Sequence, residues 1–167
     1  MTLRTVHTKT EKTNSIYPYN PKPFPPPIKI TTIFYMILSA SRRTDIPAFF
    51  SDWFYKRIEE GFFMVRNPMN VHRVSKISVS PQNVECFVFW TKNPSDDFIT
   101  TLKKLDNLGY KYYFQFTITS YAQDIEKNVP HKKEIIEKFI KLSEQIGREK
   151  VIWRYDPIIL TEKYNMK

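Results

Sequence analysis

The stretch from Val84 to Thr119, VECFVFWTKNPSDDFITTLKKLDNLGYKYYFQFTIT, decides the architecture. VECFVFW is almost continuously apolar, as a strand covered on both faces reads. Behind it Ser95 stands where a helix N-cap belongs. Asp96 and Asp97 suit the positive end of the helix, and Phe98, Leu102 and Leu105 share one helical face. Gly109 closes that helix, and KYYFQFTIT reads as a second strand. Strands alternating with single helices imply parallel pairing through right-handed crossovers.

The same rhythm continues in both directions. Upstream, MILSAS is a short apolar strand, followed by DIPAFFSDWFYKRIEEG. There Phe50, Trp53, Phe54 and Ile58 keep the spacing of one helix face, with Pro47 in the first turn and Gly61 at the end. FFMVRNPMNVHRVSKISVSP then places Val74, Lys76, Ile77 and Val79 in a β-like stretch with RNPMN as a turn, a hairpin excursion from the main sheet. Downstream, PHKKEIIEKFIKLSEQIG buries a stripe of Ile135, Phe139, Leu142 and Ile146. Glu134 with Lys138 and Glu137 with Lys141 are expected to pair on the outside. KVIWRYDPIIL supplies a fourth strand. The expected fold is α/β, with about four parallel β/α units plus the hairpin.

Composition bounds what this domain does. The chain has 167 residues, enough for one domain with a core. Residues 1–35 hold six of its twelve prolines, and YPYNPKPFPPPIK suits neither helix nor sheet, so they read as an extended, disordered, basic arm before a domain over residues 36–167. Without the arm the formal charge of +9 falls to +5, spread along helix faces. That pattern favours solvated surfaces over a nucleic-acid groove. KYYFQFTI is aromatic and basic but lacks the small residues of the RNA-recognition motif. A single cysteine, Cys86, rules out a disulfide framework and fits a reducing, cytoplasmic setting. The apolar run ITTIFYMILSAS is too short to cross a bilayer as a helix, and the charged RRTD behind it argues against a secretory leader, so no membrane partner is expected. There is no GxSxG elbow and no glycine-rich phosphate loop. His7, His72 and His131 have no metal-ligand spacing.

Candidate function sits at the strand ends. SASRRTD, FWTKNP, QFTITSY and WRYDP follow the four strands, and parallel strands would gather them on one side of the sheet, where β/α folds place their sites. Arg42 and Arg43 suit a carboxylate or phosphate; the alternative is an ion pair with Asp45 or Asp156. Lys92 and Asn93 follow Trp90, and Lys92 suits an anion. Gln115, Thr117 and Thr119 alternate onto one face, where buried polar groups need each other, water or a ligand. Arg154 and Asp156 also share a face. Asp156 suits a general base, a hydroxyl partner or the mate of Arg154. Lys92 and Asp156 are thus the catalytic candidates. Arg42, Arg43, Asp45, Asn93, Gln115, Thr117 and Arg154 are the candidates for binding an unidentified small, anionic ligand.

ILSASRRTDIPAFF, VRNP, FVFWTKNP, YYFQFTIT with DIEKNVP, and VIWRYDPIIL, in that order, resemble the domain-of-unknown-function 1848 family from about Met36 onward. The resemblance implies a partial (β/α) barrel of TIM and radical-SAM-like type, truncated here to its N-terminal half. It carries over Arg42, Arg43, Thr44 and Asp45, then Trp90, Thr91, Lys92 and Asn93, then Gln115, Thr117, Arg154 and Asp156. Full-length members end in a cysteine cluster, which implies an iron-sulfur cluster and S-adenosylmethionine for them and none in this chain. The arginines would then meet the S-adenosylmethionine carboxylate or a substrate phosphate. As a truncated half barrel the chain is expected to be inactive alone and to self-associate through an open sheet edge. A nucleic-acid-associated module and a non-functional gene fragment are the competing readings.

Overall fold

The computed structural model describes residues 2–3 and 36–165. The arm expected over residues 1–35 lies outside the described residues except for Thr2–Leu3, which form strand β1. The remaining elements are β2 (Met36–Ser39), α1 (Ile46–Phe49), α2 (Ser51–Glu60), β3 (Phe62–Arg66), β4 (Val74–Ser78), β5 (Val84–Thr91), α3 (Asp96–Asn107), β6 (Tyr112–Thr117), α4 (Lys132–Ile146) and β7 (Val151–Arg154).

The main sheet has the order β1-β2-β5-β6-β7. β2, β5, β6 and β7 are all parallel, and β1 is antiparallel on the outer edge of β2. This gives the four expected parallel strands. Their spatial order follows the chain without reversal, so right-handed crossovers place the successive helices on one side. The core shows this directly. It draws Leu38 from β2, Phe87 and Phe89 from β5, Tyr112, Phe114 and Phe116 from β6 and Val151 from β7, which all lie on one face of the pleat. Phe54 of α2, Phe98 and Leu102 of α3, and Ile135 and Leu142 of α4 pack on that face. Phe54 is the centre of an aromatic cluster, with ring centroids 5.4 Å from both Phe87 and Phe89 and 5.9 Å from Phe98. The result is a mixed α/β unit of one sheet and one helical layer; the sheet is open.

The hairpin forms as a separate two-stranded sheet, with Phe62 opposite Ser78 and Arg66 opposite Val74. Ser95 caps α3 by accepting from the Phe98 amide at 3.1 Å, and Gly61 ends α2 in the left-handed region at φ 75°.

Three local expectations need correction. The first helix is broken at Phe50 (φ −132°, ψ 36°), which turns the expected stripe out of phase: Phe54 and Ile58 are buried, whereas Phe50 and Trp53 are exposed. The outer lysines of α4 reach across to the β5–α3 connection instead of pairing within the helix. Lys138 donates to Asn93 Oδ1 at 2.7 Å and the Pro94 carbonyl at 3.2 Å, and Lys141 pairs with Asp96 at 3.4 Å. A connection bearing an N-terminal carboxylate and free carbonyls competes well with a solvated i,i+4 pair worth a few tenths of a kcal/mol. The fourth strand stops at Arg154, and Ile158 and Leu160 lie exposed beyond it. Among the described residues no helix is long and apolar enough to cross a membrane.

Candidate functional site

The pleat sorts each strand into a helix-packed set and an opposite set. With Phe87 and Phe89 inside the core, Val88 and Trp90 face the other way, as do Gln115 and Thr117 on β6 and Ile152 and Arg154 on β7. Trp90 is in register with Gln115, and Thr117 with Arg154. β5 and β7 both flank β6, roughly 10 Å apart. The Arg154 guanidinium nevertheless lies over the Trp90 ring, 4.3 Å from its centroid. It reaches there by spanning β6 at the level of Gln115. Its Nη2 also donates to Asp156 Oδ2 at 2.6 Å. A carboxylate on one side and an indole on the other hold that cation in place.

Two polar atoms at this end of the sheet are orphaned. Trp90 Nε1 and Ser41 Oγ are buried with no hydrogen-bond partner, and Ser41 is only 8% exposed. Ser39, in register with Val88, is the last residue of β2, and Ser41 lies in the turn that follows it. An unpaired buried donor or acceptor costs about 1–3 kcal/mol, so each of these atoms is a candidate contact for a bound group.

The other candidates serve different networks. Asp45 caps α1 through the Ala48 amide (3.0 Å), and its second oxygen accepts from Thr91 Oγ1 (2.9 Å) and the Lys92 amide (3.2 Å). Burial pushes its carboxyl up despite those three bonds. Asp45 therefore locks the β2–α1 loop onto the end of β5. Thr91 Oγ1 also accepts from the Asn93 amide at 3.2 Å. Arg42 and Arg43 both face outward, and Arg43 Nη1 donates to the Arg66 carbonyl at 3.2 Å. Neither arginine meets Asp45 or Asp156, which are taken by the partners above.

Lys92 pairs with Glu126, a residue the strand-end reasoning missed. Glu126 lies on the loop after β6, its side chain only 9% exposed, and accepts from Lys92, from Lys132 and from Thr119 Oγ1 at 2.8 Å. Burial alone would raise its carboxyl, but the hydrogen bonds from Lys132, Lys92 and Thr119 outweigh it and hold it below the ordinary value. Thr119, expected to share the face of Gln115 and Thr117, lies past the strand end and spends its hydroxyl here. The expected strand-end group is thus two assemblies: Trp90, Gln115, Thr117, Arg154 and Asp156 on the sheet face, and Lys92 with Glu126 and Lys132 beside it.

These residues do not fit an iron-sulfur cluster. Cys86 is the chain's one cysteine, half-buried in β5 with its thiol pushed up by burial. Among the described residues no three His, Cys, Asp or Glu side chains are placed to share a metal. A cluster takes about four cysteine ligands.

A comparison with curated proteins and one with solved structures each return no significant match. The order of strand-end motifs on a parallel sheet has a counterpart in one family. Residues 37–167 match the family described as Domain of unknown function (DUF1848), and the chain belongs to it.

Proposed function

We propose that this chain forms the ligand-binding N-terminal part of a β/α enzyme of barrel type, related to the radical-SAM-like proteins, and that it holds a small anionic molecule at the strand ends of β2, β5, β6 and β7. The carrying observation is the buried, unpartnered Trp90 Nε1 on the same indole over which the Arg154 guanidinium is stacked. An indole N–H only donates, a hydroxyl donates or accepts, and a guanidinium donates. Donors of that kind converging on a face suit an oxyanion, and Gln115 and Thr117 add amide and hydroxyl groups on the next strand. The carboxylate of S-adenosylmethionine and a substrate phosphate both meet this requirement.

Roles follow from the geometry. Arg154 binds the anion, with Asp156 holding the guanidinium in place. Lys92 and Lys132 share the single Glu126 carboxylate, so that cluster keeps one net positive charge at the edge of the site. The chain alone binds ligand without completing a reaction, because the chemistry of a cluster has no ligands among its residues.

Calorimetric titration with inorganic phosphate, pyrophosphate and succinate tests the reading. The unaltered chain is expected to bind at least one of them, and Arg154→Met and Trp90→Phe each to weaken that binding about tenfold or more, the worth of one charge-assisted or buried hydrogen bond. Binding by none of the three, or equal binding by both variants, overturns it.

A further inference from the structure

The helix break at Phe50 has opened a second place in the molecule. A cleft of about 360 Å³ lies between the β2–α1 loop, the start of α2 and the hairpin; its lining takes Arg43 and Thr44 from the end of β2 and none of Trp90, Gln115, Thr117, Arg154 and Asp156. We propose that this cleft binds a planar aromatic molecule carrying one oxyanion.

The apolar side comes from Phe50, Trp53 and Phe63. Trp53 stacks on Phe63 with ring centroids 5.6 Å apart and planes 26° from parallel. Trp53 remains 44% exposed and Phe50 42%, although the spacing of the sequence puts both on the buried stripe. Two large aromatic surfaces beside a concavity gain by covering a flat ring. The volume falls within the range of small-molecule sites.

The anionic end is specified by Arg43 and Arg66, both lining the cleft. Each guanidinium is anchored by a backbone carbonyl: Arg43 Nη1 donates to the Arg66 carbonyl at 3.2 Å, and Arg66 Nη1 to the Val71 carbonyl at 2.8 Å. Neither forms an ion pair with a carboxylate among the described residues, unlike Arg57 and Arg154. A guanidinium has five N–H donors, so each keeps several for a ligand. Two fixed, uncompensated cations at the rim of an aromatic cleft complement an oxyanion on a ring. Aryl carboxylates and nucleoside monophosphates share that chemistry.

The test is calorimetric titration of the full chain with adenosine 5′-monophosphate and with 2-naphthoate, each against its uncharged counterpart, adenosine or 2-naphthamide. The Trp53 indole N–H resonance, assigned through Trp53→Phe, reports the location. At least one anion is expected to bind and shift Trp53. Its neutral counterpart should bind about tenfold or more weaker, and so should the anion to Arg43→Met and Arg66→Met. Preference for the phosphate or the carboxylate identifies the natural source. Failure of both anions at millimolar concentration, equal affinity of the neutral counterpart, or a shift of Trp90 in place of Trp53 overturns the proposal. If the arginine variants do not fold, the charged-against-neutral comparison on the unaltered chain decides. Phosphate and succinate lack a ring, so failure at the strand ends and failure here are read separately.

Discussion

Glu126→Gln isolates the buried charge network without changing its shape. The glutamine keeps an oxygen for Thr119 but no longer compensates Lys92 and Lys132. Breaking a fully buried pair costs about 3–5 kcal/mol. Here both lysines keep about a third of their side-chain exposure and can turn to water, so the expected loss is about 2 kcal/mol. For a domain of this size that lowers Tm by roughly 6–10 °C. The pH dependence carries a definite sign. The Glu126 carboxyl is held below its ordinary value in the folded chain by the hydrogen bonds from Lys132, Lys92 and Thr119, so between its folded and unfolded values the unfolded chain binds more protons. Its contribution is present in full above the unfolded value and disappears as pH falls through the folded one. Denaturant unfolding of both proteins at a series of pH values from neutral to about 3 should therefore show a gap that is constant near neutrality and narrows in acid. A neutral substitution, or a gap that persists unchanged to pH 3, would refute the network as the anchor of the β6–α4 loop.

Other perturbations test the fold around the site. Phe54→Ala removes a fully buried ring in contact with Phe63, Phe87, Phe89 and Phe98 and should cost about 3–5 kcal/mol, measured by urea denaturation; less than about 1 kcal/mol would contradict its central place. Gly61→Ala should cost about 1 kcal/mol in the same assay, because φ is 75° although a methyl group there meets nothing within 4 Å, and a stabilised variant would show the backbone reading to be wrong. Among the described residues β7 is paired only with β6, and Ile152 and Trp153 beside that edge are 46% and 63% exposed. The chain is expected to self-associate there, with light scattering showing a mass that rises with concentration and falls to the monomer in Trp153→Lys; a strict monomer at about 100 μM counts against it.

The alternation of strand and helix was legible because each element carries a pattern of its own. VECFVFW specifies a strand as a continuous apolar run and the Phe98, Leu102, Leu105 stripe a helix by its period, while Ser95 marks a helix start through a hydroxyl that accepts from the Phe98 amide and Gly61 a helix end through a left-handed backbone. Strand parity also put Gln115 with Thr117 and Arg154 with Asp156, but did not bring Trp90 to them; that came from the register of β5 on β6. What failed to show was anything decided by tertiary competition. Phe50 and Trp53 have perfect helical spacing, and nothing local announces the break that exposes them. Glu126 lies in a loop, where no period reports depth, and nothing in the spacing ties it to Lys92 at the end of β5 and Lys132 at the start of α4. Asp45 reads as a ligand-binding acid beside two arginines, yet three protein donors take it before any ligand can.

In the proposed site the sheet face at the strand ends receives an anion through Trp90. The most direct measurement is a ¹⁵N spectrum of the three indole N–H resonances, Trp53, Trp90 and Trp153, during titration with inorganic phosphate, pyrophosphate and succinate. A saturable shift confined to Trp90 and absent in Arg154→Met is expected. A Trp90 resonance that stays in place throughout, or one that shifts equally in the Arg154 variant, would contradict it.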